Sequence, residues 1–353
     1  SELANRRGLL PLLYRSLNRV DDGRVPAAVL AQLKAQYQAN ARRNIAFTRE
    51  LLRLLARLEQ HGIPALPYKG PALAVAAYGD LALRQFTDLD ILVRPEDTGR
   101  AKALLEAAGY RFSGGLTPGQ TALYAASTNH HHFALQRPAG HITVELHWHI
   151  APAIFVPAAK SAPLWQRQTT LRLPGAVIPT FDPVDLLLLL AMHGGKHGWD
   201  RLGLVADLAE LLRRQAGRFD PAELLARAKQ TQQTRRLRLA LWLAHHLLAA
   251  PLPDLLRPTP AEDAATARLA ARPLAHLLGQ IEWPPGSLSR LRWQQQLFDR
   301  RLDRWRYPLE LLTAPTLIEW SQQALPARLN GLYRLWRPLR LARKYLVGSG
   351  SRE

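Results

Sequence analysis

Two carboxylates one residue apart carry the clearest chemical signal in the chain. Asp88 and Asp90 lie in residues 87–93, where polar and apolar residues alternate as in a half-buried β-strand. Side chains two residues apart on a strand project to the same side, and paired carboxylates raise each other's pKa unless a cation lies between them. Oxygen ligands suit Mg²⁺, because it is a hard divalent ion. The spacing predicts a magnesium site, with a solvated strand face as the alternative.

A third acid lies in a second alternating segment, residues 141–149. Glu145 and His147 share one face of this expected strand, while Val144 and Leu146 share the other. Glu145 would complete the set of metal-binding carboxylates if the two strands are neighbours. We expect His147, on the same face, to support the metal ligands from beside them.

Positive charge and a glycine precede the paired acids. Lys69, Gly70 and Pro71 lie between a short extended segment and a helix, where backbone N–H groups and the helix dipole favour phosphate. Lys69 would add a point charge, and Arg84 a planar fork for phosphate oxygens. Ordinary surface charge is the alternative interpretation of Lys69 and Arg84.

A second group of basic residues follows Pro183. His193, Lys196 and His197 have i, i+3, i+4 spacing, so they share one helix face if Gly194 and Gly195 do not break the helix there. We expect a break near the two glycines. The three side chains would contact phosphate or base, and bonding to carbonyls at a helix end is the alternative.

Two residues just beyond this group have mainly structural interpretations. Trp199 is expected to anchor the core rather than to stack on a base. Asp207 could orient a histidine or Lys196, but a structural salt bridge explains it equally well.

Histidines support a competing interpretation. The histidines at 130, 131, 132, 141, 147 and 149 could hold zinc with a hydrolytic role, because imidazole is a common zinc ligand. No His-Glu-x-x-His spacing accompanies them, and histidines beside a phosphate site can bind phosphate or water. We therefore prefer the magnesium interpretation.

Periodicity along the chain predicts the elements that position these residues. Residues 25–60 are helical in pattern and end at Gly62, residues 96–108 form another helix, and residues 130–136 and 141–149 form a hairpin around a turn at 138–140. After residue 183 every segment looks helical, including 288–304, 316–324 and 328–346. The sequence predicts an α+β fold with a small mixed sheet, divided into a helical cap (1–60), an α+β core (61–182) and a helical C-terminal domain (183–353).

Composition excludes several classes of protein. The 353 residues are 47% hydrophobic and include no cysteine, which rules out disulfide scaffolds, cysteine-ligated metals and thiol catalysis. The first residues lack a signal-peptide pattern, and no apolar run is long enough to span a bilayer. We expect a soluble, cytoplasmic protein.

The formal net charge of +19 points to phosphate-bearing partners without identifying one. A polyanion such as RNA or DNA would be attracted, but the excess is diffuse and mostly arginine, so genome composition explains it as well. Residues 332–346 form a basic amphipathic segment that could contact a membrane surface. Packing of this segment on the domain is the alternative that we expect.

Several of these motifs together resemble an uncharacterised bacterial nucleotidyltransferase family of the DNA-polymerase-β-like superfamily. The resemblance spans most of the chain, and its specific motifs are residues 68–73, 78–80, 84, 88–93, 95–97, 144–148 and 193–209. One departure concerns the phosphate turn, where Lys69 and Pro71 flank Gly70 in place of a second glycine or a serine. The separation of Gly70 from Asp88 is also longer than is common in the superfamily.

The resemblance implies transfer of a nucleoside monophosphate from an NTP to an acceptor hydroxyl, with release of pyrophosphate. Asp88 and Asp90 would hold Mg²⁺ or Mn²⁺, Glu145 would match the third carboxylate, and Glu145 or Asp90 would be the base. The acceptor could be tRNA or another RNA, a protein, or a small molecule. A non-catalytic nucleotide- or RNA-binding protein on the same fold is the alternative.

Overall fold

Alternation of polar and apolar residues builds a five-stranded sheet in the first half of the chain. A computed structural model describes residues 2–20, 25–137, 142–157, 162–322, 325 and 327–347. The strands pair in the order β1-β2-β5-β4-β3, and only β2 and β5 are parallel. They are β1 (Ala65–Pro67), β2 (Asp88–Val93), β3 (Arg111–Phe112), β4 (His132–Gln136) and β5 (Thr143–His147). With the helices described below, this mixed sheet confirms the predicted α+β class.

A second, two-stranded sheet lies beside the first and was not predicted. It pairs β6 (Gln168–Leu173) with β7 (Ala176–Phe181) in antiparallel fashion. Gly175 adopts a φ of +99° in the turn, a conformation that glycine adopts without strain. The hydroxyl of Thr180 donates a hydrogen bond of 2.7 Å to the Pro67 carbonyl and so joins the hairpin to β1.

Helices make up most of the remaining described chain. Those before the second sheet are α1 (Glu2–Arg6), α2 (Leu10–Arg19), α3 (Ala27–Gln60), α4 (Gly70–Leu73, continued as a π-helix over Ala74–Tyr78), α5 (Thr98–Ala107) and α6 (Pro118–Ala126). Those after it are α7 (Pro183–Lys196), α8 (Leu202–Arg214), α9 (Pro221–Gln230), α10 (Thr234–Leu248), α11 (Pro260–Leu277), α12 (Leu288–Gln296), α13 (Arg301–Thr313), α14 (Leu317–Gln322) and α15 (Tyr333–Val347).

Helices cover both faces of the main sheet. Leu89, Ile91 and Val93 of β2 enter a core that they share with α3 and α5. Leu92 enters a second core built mainly from α7, α8 and α10. Asp88 and Asp90 alternate with the first set, so they face the C-terminal helices. Both cores combine residues from different predicted domains, and the domain boundaries stay a prediction.

Most predicted elements before residue 183 are found close to their expected bounds. Helix α3 matches the predicted helix at 25–60 and is followed by Gly62 with a φ of +65°. Strands β4 and β5 pair as the predicted hairpin, although His130 and His149 lie outside them. The predicted turn at 138–140 lies outside the described residues.

The predicted break near Gly194 and Gly195 lies a few residues later in the structure, because α7 runs through both glycines to Lys196 and α8 begins at Leu202. A Cβ on Gly194 would lie 2.4 Å from the ring of Trp199. Trp199 is fully buried, which confirms its expected role in the core. The glycine therefore admits the indole ring instead of ending the helix.

One of the predicted C-terminal helices differs from the structure, and the packing of the last one is as expected. The predicted helix at 288–304 is interrupted between α12 and α13, where Leu297 and Phe298 are buried. Helix α15 packs on its neighbours through buried Tyr333 and through Arg337 and Arg340, which contact the buried carboxylate of Glu319. No helix in the described ranges combines the length and apolar character that crossing a membrane would require.

Candidate active site

The register of two parallel strands brings the predicted acids together. Asp90 of β2 lies directly opposite Glu145 of β5, and Asp88 lies opposite Thr143. Apolar Leu89 and Val144 point to the other side and are buried, so the two-residue period of each strand sends the acids to one face. Asp88 and Glu145 line a cavity of about 340 Å³ between the sheet and α7.

Asp90 is the most enclosed acid of the group. Its side chain has no exposed surface, and its Oδ1 accepts a 2.8 Å hydrogen bond from the Lys69 ammonium group. The Nε2 atom of His147 lies 3.2 Å from the same oxygen. Burial opposes ionisation of Asp90, but Lys69 and His147 outweigh it and lower the pKa of Asp90. Oδ2 is buried and has no hydrogen-bond partner among the described residues.

His147 connects Asp90 with Glu145. Its Nε2 also lies 3.2 Å from Glu145 Oε2, and because ionised carboxylates only accept hydrogen bonds, Nε2 is the donor. Burial lowers the pKa of His147, but the hydrogen bonds to Asp90 and Glu145 raise it overall. The pKa of Glu145 is about 2, because the bond from His147 outweighs the effect of burial.

Asp88 differs electrostatically from Asp90. Burial, reinforced by the charge of Asp90, raises the pKa of Asp88 to about 6, and Lys69 offsets only part of this effect. The Asp88 carboxylate therefore carries negative charge that its surroundings do not fully compensate.

Gly70 fixes the position of the Lys69 turn against β2. Its φ is +52°, and a Cβ at this position would lie 3.1 Å from the Asp88 carbonyl oxygen. Both the backbone conformation and the close approach favour glycine. The turn can thus hold Lys69 against Asp90 while α4 leads away from the sheet.

Arg84 lines the cavity, but most of its guanidinium group is committed elsewhere. Its Nε and Nη2 donate to the two carboxylate oxygens of Asp207, each over 2.9 Å. Tyr78 donates to Asp207 Oδ1 over 2.7 Å. Asp207 therefore forms the structural salt bridge considered above. Arg84 Nη1 is buried and has no hydrogen-bond partner within the described chain.

Helix α7 supplies the opposite wall of the cavity. His193, Lys196 and His197 all line it, because α7 continues through the glycines and its capping residue is His197. Burial, with help from Lys69, lowers the pKa of Lys196 to about 8. Burial likewise lowers the pKa of His197 to about 3 and that of His193 well below its ordinary value.

Other cavity residues are absent from the sequence-derived site. His131 and His132 lie beside His147, and Arg201 and Tyr68 contribute to the walls. The run of three histidines is visible in the sequence, but strand alternation assigns neighbouring residues of the run to opposite faces. His130 instead stacks on Tyr124 and accepts a hydrogen bond from Trp320, away from the acids.

Two groups of side chains in the described residues could hold a metal ion. One is Asp90, Glu145 and His147, and the other is His131, His132 and His147, with ligand atoms within 4.8 Å of one another in each group. Asp88 belongs to neither group, although it lines the same cavity. The structure thus brings together two of the three predicted acids with His147, and Asp88 lies beside them.

Comparison with known proteins assigns the family. No curated protein matches the chain significantly, and no solved structure does. A family model described as "Uncharacterised nucleotidyltransferase" matches residues 1–249, which include β1 to β7, the three acids and the basic residues that line the cavity. The chain belongs to this family of uncharacterised nucleotidyltransferases.

Proposed function

We propose that the protein transfers a nucleoside monophosphate from an NTP to an acceptor hydroxyl and releases pyrophosphate, with Mg²⁺ or Mn²⁺ as cofactor. The observation that carries this proposal is the pairing of Asp90 with Glu145 across β2 and β5, with Asp88 at the same cavity. Membership of a nucleotidyltransferase family supports the class of reaction.

Asp88, Asp90 and Glu145 would hold the divalent ion. Their oxygen donors suit Mg²⁺, and Asp90 Oδ2 is buried without a partner in the described residues. Burial, together with the charge of Asp90, raises the pKa of Asp88, and a bound cation would offset both effects. When bound, such an ion acidifies the attacking hydroxyl and neutralises charge on the triphosphate. Lys69 and His147 meanwhile compensate the charge of Asp90.

Glu145 is the acid best placed to accept the proton of the acceptor hydroxyl. Its side chain is 27% exposed, whereas that of Asp90 has no exposed surface. With a pKa of about 2, Glu145 is ionised at neutral pH but weakly basic, so proton transfer to it would depend on a divalent ion that acidifies the hydroxyl. His147 holds the carboxylate by its hydrogen bond and would stabilise its orientation.

Basic residues on both walls would bind the triphosphate. Lys69 lies on the sheet side and Lys196 on the α7 side, and with a pKa of about 8 Lys196 is mostly protonated at neutral pH. Arg84 can offer only Nη1, since Asp207 occupies Nε and Nη2. His193 and His197 are uncharged at neutral pH, and each would donate a single hydrogen bond to phosphate or base.

RNA is the acceptor that we propose, because a net charge of +19 attracts a polyanion. The test incubates the protein with each α-labelled NTP, Mg²⁺ or Mn²⁺ and a cell extract, and then follows label into RNA, protein and small molecules. Label in RNA supports the proposal, and label only in protein or small molecules rejects RNA as the acceptor.

The same experiment separates catalysis from binding alone. Asp88→Asn and Asp90→Asn should abolish label transfer, while Glu96→Gln, at a side chain that is 67% exposed, should not. Absence of label from every fraction with the wild-type protein would favour a non-catalytic nucleotide- or RNA-binding protein. We propose a cytoplasmic location, where NTPs and RNA are both available.

A membrane surface is a second proposed partner. On α15, Leu335 and Leu339 are 65% and 62% exposed, and Trp305 on neighbouring α13 is 78% exposed. Arginines interrupt these apolar positions, which is the composition of a helix that lies on anionic lipid.

A further inference from the structure

We propose that His131, His132 and His147 form a binding site for one transition-metal ion of the zinc class, distinct from the carboxylate site for Mg²⁺. The three imidazoles line the cavity at the ends of β4 and β5, where His132 lies directly opposite His147. One ligand nitrogen from each lies within 4.8 Å of the other two. This proposal does not depend on the proposed nucleotidyl transfer.

The distance between two of the nitrogens fits a common ion. His131 Nε2 and His132 Nδ1 are 3.3 Å apart. Metal–nitrogen bonds of 2.0–2.1 Å in a tetrahedral site place ligand nitrogens about 3.3 Å from each other. An ion can therefore replace the single hydrogen bond that these rings share without separating them.

The hydrogen bonds of His147 match those of a typical metal-ligating histidine. Its Nε2 faces Asp90 and Glu145, whereas its Nδ1 is buried and has no hydrogen-bond partner in the described residues. Histidine ligands commonly donate one ring N–H to a carboxylate and bind metal through the other nitrogen. Nδ1 of His147 is the nitrogen that this arrangement leaves for the ion.

The donor set separates this site from the magnesium site. Three imidazole nitrogens suit Zn²⁺, Co²⁺ and Ni²⁺, whereas Mg²⁺ prefers oxygen. The site shares only His147 with the group formed by Asp90 and Glu145. An excess of Mg²⁺ should therefore leave the histidine site occupied by its own ion.

Cobalt titration of the full chain tests the proposal, because four-coordinate Co²⁺ absorbs visible light far more strongly than hexa-aqua Co²⁺. We expect one equivalent of Co²⁺ to produce this absorption and one equivalent of Zn²⁺ to remove it. A large excess of Mg²⁺ should not change it.

Matched variants assign the ligands. His131→Ala and His132→Ala should each weaken Co²⁺ binding at least tenfold, whereas His149→Ala and Asp88→Asn should bind as the wild type does. Circular dichroism identifies any variant that does not fold, and His132→Gln then takes its place, because His132 is partly exposed. Absence of the absorption, its persistence in the His131 and His132 variants, or its loss on adding Mg²⁺ would overturn the proposal.

Discussion

Removing the charge of Asp88 and removing that of Asp90 should change stability in opposite directions. The pKa of Asp88 rises from its ordinary value of 3.8 to about 6, and each pKa unit corresponds to about 1.4 kcal/mol. At pH 8, the Asp88 charge therefore disfavours the folded state by about 3 kcal/mol on this scale. Asp88→Asn removes that charge, so we expect its free energy of unfolding to exceed that of the wild type by ~1–3 kcal/mol.

The stability gain of Asp88→Asn should depend on pH. Because the folded protein holds its proton more tightly at Asp88, the contribution of Asp88 to wild-type stability falls as pH rises from about 4 to about 6. Well below pH 3.8 the side chain is protonated in both states, so this electrostatic difference between variant and wild type should be much smaller at pH 4 than at pH 8 and should disappear at lower pH.

Asp90→Asn should destabilise the protein instead. The carboxylate is paired with Lys69 and His147, whose side chains are 14% and 3% exposed. Removing one partner of a buried ion pair leaves its charge uncompensated, at a cost of about 3 kcal/mol. Both substitutions should nevertheless abolish nucleotidyl transfer, which separates the effect on function from the effect on stability.

Urea unfolding in EDTA at pH 4 and pH 8 measures these differences, with Glu96→Gln as the control for loss of an exposed charge. Circular dichroism and tryptophan fluorescence should report the same transition. A less stable Asp88→Asn at pH 8, or the same gain at both pH values, would refute the electrostatic reasoning. An Asp90→Asn variant as stable as the wild type would refute the proposed role of the buried pair.

Two further predictions concern α7 and α15. Gly194→Ala should lower the free energy of unfolding by ~1–3 kcal/mol. The overlap of a Cβ with the buried Trp199 ring costs more free energy than the helix gains from alanine. Gly195→Ala, whose nearest contact would be 3.3 Å, is the matched control and should change stability by less than about 1 kcal/mol; equal urea midpoints would contradict this. Replacing Leu335 and Leu339 with serine should weaken sedimentation with anionic liposomes, and undiminished binding would exclude this face of α15.

Local periodicity was sufficient to predict the sheet face that carries the acids. Asp88, Asp90 and Glu145 each alternate with buried apolar residues, so strand geometry alone assigns them to one side. Their pairing across parallel strands followed from the expectation that the two segments are neighbours, and the register of Asp90 with Glu145 confirms it. The extent of α3 and its end near Gly62 could likewise be predicted from the local sequence.

Contacts between distant segments could not be predicted in the same way. Arg84 looked like a phosphate ligand because its partner Asp207 lies 123 residues away and no local pattern joins them. Gly194 looked like a helix breaker because the residue that requires a glycine there is Trp199, which lies beyond the end of α7 and packs its ring back against Gly194. His131 faces the acids although it precedes β4, so strand alternation did not assign its direction.

The Arg84–Asp207 pair also limits how parts of this chain can be exchanged. Exchanging the helices after residue 183 alone would leave Arg84 as an uncompensated cation in the cavity wall, unless the incoming sequence supplied an acid at the same place. The family match ends at residue 249, just beyond α10, and so includes both partners. A chimera that keeps the sheet of this protein should therefore also keep α8, because Asp207 compensates the charge of Arg84.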